Sequence, residues 1–350
     1  MTQSADIANQ NEEKIYPFKM WWGLAGCAAF MALVLLFGQN SDGSLFPIDK
    51  GDMWYYWQLD DASALTRLSA WIPYVLHQIT IWYLIAKAQS VRPKYIFGLH
   101  YFNVLALAAN FFFMFLHVVQ TEFFYDGLAQ DVHESSSMMS VILMLLLIML
   151  MENNRRGLFF GYKVKPLFEV GDAVKRYHGY YFSWAIIYTF WYHPVELTQG
   201  HIAGFAYMSL LLLQSSLFFT RFHINRVWTV LLETLFVIHG ALVAYFIMQQ
   251  SQGINAAGMF LFGGMATFLI CQIHGLGLSL KGKLIIGIPM VASMVTFYTF
   301  FPEGLGSFAR TPLIMFGGTF IMGIIVWILL RFGSVVNWLR GDSGQAPATS

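Results

Sequence analysis

Ten apolar runs mark this sequence, near residues 21–38, 68–86, 95–119, 136–151, 179–193, 202–220, 227–249, 256–275, 284–301 and 312–330. Each is long enough, or nearly so, to cross about 30 Å of hydrocarbon as a helix of roughly 20 residues. No other feature limits the fold so strongly. A chain in lipid must satisfy its own backbone N–H and C=O groups, so only helices and closed barrels span a bilayer. The alternating ten-residue strands of a barrel are absent from the sequence. The expected fold is therefore all-α: a polytopic bundle of about ten transmembrane helices over residues 21–331 as a single domain, with 1–20 and 332–350 as cytoplasmic segments. Only 11% of residues are charged, against about 25% in soluble domains.

Basic residues set the expected orientation. With the N-terminus in the cytoplasm, 17 of the 20 Lys and Arg fall in cytoplasmic connections, leaving Lys50, Arg67 and Arg310 outside. Both ends of a ten-span chain are then cytoplasmic, and the expected location is a bacterial inner membrane, with the lipid bilayer as partner. The segment LAGC, Leu24–Cys27, resembles a lipoprotein cleavage box, but the apolar run continues beyond it, so the first span is expected to be retained. The two cysteines, Cys27 and Cys271, lie in apolar runs without CxxC spacing, which implies core packing. A net charge of +1, with the basic residues accounted for by topology, implies no nucleic-acid partner. No phosphate-cradling loop, nucleophile elbow or dinucleotide fingerprint is present.

The chemistry must therefore come from ionisable groups at the helix ends and in the bundle. WYHPVELTQGH, residues 191–201, joins two apolar runs and carries His193, Glu196 and His201. His117 closes the third span at the same expected depth, and His133 with Glu134 opens the fourth. Imidazole and carboxylate donors suit zinc, iron or copper, so His117, His133, His193 and His201 are the expected metal ligands. Glu134 and Glu196 are expected as a further ligand or general base, and His239 as a second-sphere or proton-relay group. The expected function is that of a membrane metalloenzyme, an oxidoreductase or hydrolase, acting on a lipophilic or membrane-delivered small molecule. The aromatic stretch DMWYYWQL, Asp52–Leu59, reads as an interfacial belt or a lid over that site.

Two other arrangements fit the same residues. His100, Asn103, Asn110 and His117 share one face of the third span, and with His77 and Glu233 they would line a polar path for a proton- or cation-coupled transporter. The interhelical hydrogen bonding of such a stripe is the plainer explanation. His100 and His117 on one helix, with His178 and His193 on another, would also suit two b-type haems in a membrane electron carrier.

Overall fold

The computed structural model describes residues 14–41, 43–48, 54–248 and 250–339. The first part of the N-terminal segment, Lys50, Asp52 and Met53 of the outer loop, and the tail beyond 339 lie outside the described residues. Among the described residues the regular structure is helical, with ten long helices: α1 Met20–Phe37, α2 Ala64–Val91, α3 Tyr101–Phe124, α4 Glu134–Arg156, α5 Phe168–Tyr192, α6 Gln199–Ser216, α7 Arg226–Met248, α8 Gln250–Ile270, α9 Leu280–Phe300 and α10 Arg310–Leu339. Among the described residues, seven helices are long and apolar enough to cross a membrane. The helices α2, α5 and α6 are as long but carry more polar side chains.

The chain divides into two compact units, one made of Gly179–His239 with the described residues up to Val141, the other of Ile142–His178 with the described residues from Gly240 onward. In the second unit Met149, Leu150, Leu158, Leu167, Val170 and Val174 form an apolar core. Gly171 sits against the backbone there, because a Cβ at that position would lie 2.7 Å from the peptide oxygen of Leu150. Cys271 is buried, its thiol donating to the peptide oxygen of Gly157 at 3.3 Å.

In the first unit α2 packs along α3, α1 lies against α3 and α6, and α3 also meets α6. The buried stripe on α3 is the seam. Asn103 Nδ2 donates to the peptide oxygens of Ser216 and Phe218, at 2.8 and 2.9 Å. Those carbonyls lie at the end of α6, where no further helical turn supplies donors. One helical stretch away, Asn110 Nδ2 donates to Ser216 Oγ at 2.7 Å and to the Leu212 peptide oxygen at 3.1 Å. Its Oδ1 accepts from His77 Nε2 at 2.6 Å, while His77 Nδ1 accepts from the indole N–H of Trp191 at 3.2 Å. An indole nitrogen only donates, so the proton of His77 resides on Nε2 and the ring is neutral. His77 also stacks on Phe113, with centroids 4.5 Å apart. One continuous chain of hydrogen bonds thus joins α2, α3, α5 and α6.

Each bond in such a chain contributes modestly, about 0.6 kcal/mol on average between membrane helices. Losing one partner is costlier, because the group left behind is buried and unpaired, which costs about 1–3 kcal/mol. Asn110→Ala strands the His77 N–H and should lower stability by about 1–3 kcal/mol. Thermal unfolding of the purified full-length protein checks this, and an unchanged midpoint would show that the seam does not stabilise the bundle.

Candidate functional site

The turn between α5 and α6 is built by pairing its peptide groups with side chains of α3 and with the backbone just past α1. Pro194 lacks an N–H, so α5 stops at Tyr192. His117 Nε2 on α3 donates to the peptide oxygen of His193 at 2.8 Å, and Thr121 Oγ1, one turn on, accepts from Val195 N–H at 3.1 Å. Gln39, just past α1, completes the pairing: its N–H donates to the Val195 oxygen and its oxygen accepts from Leu197 N–H, both at 2.8 Å. Gly127 closes the far side, since a Cβ there would lie 2.6 Å from the Tyr192 peptide oxygen. Thr198 then caps α6, accepting from His201 N–H at 3.3 Å.

Glu196 is buried in this assembly. Its carboxylate accepts from Ser41 Oγ at 2.6 Å and Tyr125 Oη at 2.5 Å. It therefore ties the segments after α1 and α3 to the turn, and its Oε1 is committed to two hydroxyls.

His193 and His201 do meet, with ring centroids 5.4 Å apart. Between them stands Tyr55, a buried residue of the aromatic loop, whose hydroxyl lies 2.9 Å from His193 Nδ1 and 2.6 Å from His201 Nε2. Burial, reinforced by nearby Tyr125, Tyr192, Glu196 and Glu134, pushes this phenol well above its ordinary range, so it keeps its proton. A phenol carries one proton, so it donates to one imidazole while accepting from the other. Thr198 Oγ1, at 2.7 Å from His201 Nδ1, supplies the remaining contact. Since Thr198 accepts from a peptide N–H, one consistent order of donors runs Thr198 to His201 to Tyr55 to His193, leaving the second proton of the chain on His193 Nε2. No partner for Nε2 occurs among the described residues.

A cleft of about 200 Å³ opens beside this group, lined by Trp54, Tyr55, Gln58, Asp131, His133 and Glu134 among others. Asp131 is held by Arg67 at 2.5 Å and by the Trp71 indole at 2.8 Å. His133 lies at the exposed start of α4, where its Nδ1 accepts from Ser135 N–H at 3.2 Å.

The remaining expected site residues are placed as follows. His117 is fully buried, with Nε2 on the His193 oxygen and Nδ1 3.0 Å from the side-chain amide of Gln120. Among the described residues, no three His, Cys, Asp or Glu side chains are grouped so as to hold a metal ion. The set of four ligands expected from the sequence, His117, His133, His193 and His201, therefore does not come together: only the last two are neighbours, because His117 is turned to peptide groups and His133 caps a helix. The expected haem pairs also have ring nitrogens on peptide oxygens. His100 Nε2 donates to Lys94 at 3.2 Å, His178 Nδ1 to Lys175 at 2.7 Å, and His117 to His193 itself. Glu233 is buried on α7, and His239 lies six residues further along that helix. Sequence reasoning missed Tyr55 as a chemical group. Its only signal was its place in an aromatic loop.

Asp126, after α3, supplies a pH-dependent contribution. Burial lifts its carboxyl to about 6, partly offset by the Gly127 N–H that it accepts at 2.8 Å. Unfolded Asp titrates near about 4. The folded chain holds this proton more tightly, so the stability it contributes is fully present below about pH 4 and is lost as pH rises through about 6. Relative to Asp126→Asn, which keeps the acceptor, the wild-type melting temperature should fall between about pH 4 and pH 7; parallel curves would contradict this assignment. Comparison with known proteins yields no match to a family model, a curated protein or a solved structure, so the reading of function stands on this geometry.

Proposed function

We propose that this chain is a multi-pass inner-membrane enzyme that transfers protons at a His193–Tyr55–His201 relay, acting on a small lipophilic or membrane-delivered molecule held in the adjoining cleft. The observation that carries this reading is the Tyr55 hydroxyl placed between two imidazoles, at 2.9 and 2.6 Å. With one extra proton on His201, delivery of the His193 Nε2 proton to the bound molecule is matched by passage of the Tyr55 proton to His193 Nδ1 and of the His201 Nε2 proton to Tyr55, without moving any heavy atom far. A general acid needs a nitrogen within about 2.6–3.2 Å of the reacting group; His193 Nε2 is the nitrogen not spent on a protein partner, and a bound molecule would reach it past Tyr55, the member of the trio that lines the cleft. Glu134, in the cleft wall, is the complementary carboxylate. Glu196 has a positioning role, because its contacts hold the turn on which His193 stands.

This chemistry is acid–base: abstraction or delivery of a proton during hydrolysis or isomerisation of the bound molecule. It takes the place of the metal centre expected from the sequence, whose ligands are not grouped. The rings of Trp54 and Tyr55 in the cleft wall suit a lipophilic molecule.

Extracts of membranes containing the wild-type protein, Tyr55→Phe or His193→Gln should be compared by mass spectrometry. At least one lipophilic compound should be converted by the wild type, and Tyr55→Phe should slow that conversion by about 10²–10⁴, the span of general acid–base contributions. Identical profiles in all three would sink the proposal. Zinc, iron and copper contents of the purified proteins should not depend on His193; a stoichiometric metal lost in His193→Gln would restore the metal centre.

A further inference from the structure

Within the second unit, three of the helices apolar enough to cross a membrane have ends that meet: α4 stops at Arg156, α8 stops at Ile270 and α9 starts at Leu280. The connections between them are tied to one another. Phe160 N–H donates to the Ile270 peptide oxygen at 2.7 Å, the Cys271 thiol to the Gly157 oxygen at 3.3 Å, and Arg155 Nη1 to the Gly275 oxygen at 3.1 Å.

This end gathers cations. Arg155 and Arg156 close α4, and Lys281 and Lys283 are the second and fourth residues of α9. Arginine at the end of a helix matches its dipole, but lysine at the start opposes it, and no acidic residue relieves the first turn of α9. Lys283 Nζ lies 3.1 Å from His274 Nδ1. An ammonium only donates, so the imidazole holds Lys283 in place without neutralising it. Arg155 is paired with Glu152, whereas among the described residues neither lysine has a carboxylate partner. Topology asks only that such charges lie on one side of the membrane; it does not ask for two at the start of a helix.

Beside the lysines stands an apolar tip. Tyr162 N–H donates to the Phe159 oxygen at 2.7 Å and Leu158 N–H to the Tyr162 oxygen at 3.0 Å, which makes a tight turn. Both central residues have positive φ, +50° at Phe160 and +86° at Gly161. Such turns favour Asn-Gly, and a bulky residue at positive φ is strained. The turn rests on His274, since a Cβ at Gly161 would lie 3.5 Å from its Nδ1. It holds the Phe160 ring edge-on to that imidazole, centroids 6.1 Å apart, and leaves Phe160 71% and Tyr162 69% exposed.

We propose that this end of the second unit binds the headgroup of an anionic phospholipid, Lys281 and Lys283 taking the phosphate while Phe160 and Tyr162 lie at the acyl boundary. An anion at the start of a helix is favoured by the open N–H groups there, and it relieves the conflict between the lysines and the dipole. Basic pockets between membrane helices suit anionic headgroups, and exposed aromatic rings at span ends suit the membrane interface. A soluble acidic partner would satisfy the lysines but leave both rings in water; a lipid covers them. The site is independent of the relay, whose residues belong to the first unit.

Full-length protein in a mild non-ionic detergent, titrated with dioleoyl phosphatidylglycerol or dioleoyl phosphatidylcholine and followed by native mass spectrometry, tests this. The wild type should bind the anionic lipid about tenfold more tightly or better, as two lysines near a phosphate imply. The double variant Lys281→Gln, Lys283→Gln should lose that preference, and arginine at both positions should retain it. Phe160→Ser should weaken both lipids and leave their ratio unchanged. The same loss of charge in the first unit, Lys87→Gln with Lys94→Gln, should keep the preference. Equal binding of the two lipids by the wild type, or an equal loss in the Lys87 and Lys94 variant, overturns the site. Displacement of the lipid by an equal concentration of inorganic phosphate overturns its assignment to a lipid.

Discussion

The arrangement depends first on how the peptide groups of residues 193–197 are paired. A chain that leaves helical geometry near hydrocarbon exposes donors and acceptors that lipid cannot satisfy. Here two side chains one turn apart on α3, His117 and Thr121, take the His193 oxygen and the Val195 N–H, and Gln39 takes the next pair. The irregular turn is thereby fixed to α3 and to the segment that follows α1. His193 can stand beside His201 only because the turn carrying it is held in this way, so His117 serves the site through the backbone of another residue.

A second ordering principle sorts the histidines by what their nitrogens are spent on. His77, Asn103 and Asn110 belong to a seam in which each donor already has a protein acceptor, and proton movement there would break contacts that join helices. His100 and His117 likewise face peptide groups. His193, His201 and His239 differ. The first two share a hydroxyl whose proton can point either way, and the third keeps one nitrogen unbonded among the described residues. Polar groups that are saturated hold the bundle together, and those that are not are left for chemistry.

The positions of the helices were legible in the sequence. The ten apolar runs coincide with α1–α10, because hydrophobic length is a one-dimensional property, and the three-and-four spacing of the α3 stripe predicted a buried face that is indeed buried. The composition of the site was only half legible. Apparent depth placed His117, His133, His193 and His201 at one level, but meeting requires a shared direction around the helix axes as well as a shared level. His117 turns into the core and His133 bonds its own helix start, so depth alone overcounted the cluster. Tyr55 was hidden for a different reason. An aromatic loop beside apolar runs has the composition of an interfacial belt whether or not one of its hydroxyls reaches inward. Glu233 and His239 were noticed as separate candidates, and that the His239 ring lies against Gly204 of α6 could not be read from either segment alone.

The central claim is that a single hydroxyl proton is shared between two imidazoles. Nitrogen-15 magnetic resonance of histidine-labelled full-length protein in bilayers reads it most directly. The account predicts that Tyr55→Phe shifts the ring nitrogens of His193 and His201 together while those of His77, bonded elsewhere, stay in place. A response from only one of the two rings, or from neither, would contradict it.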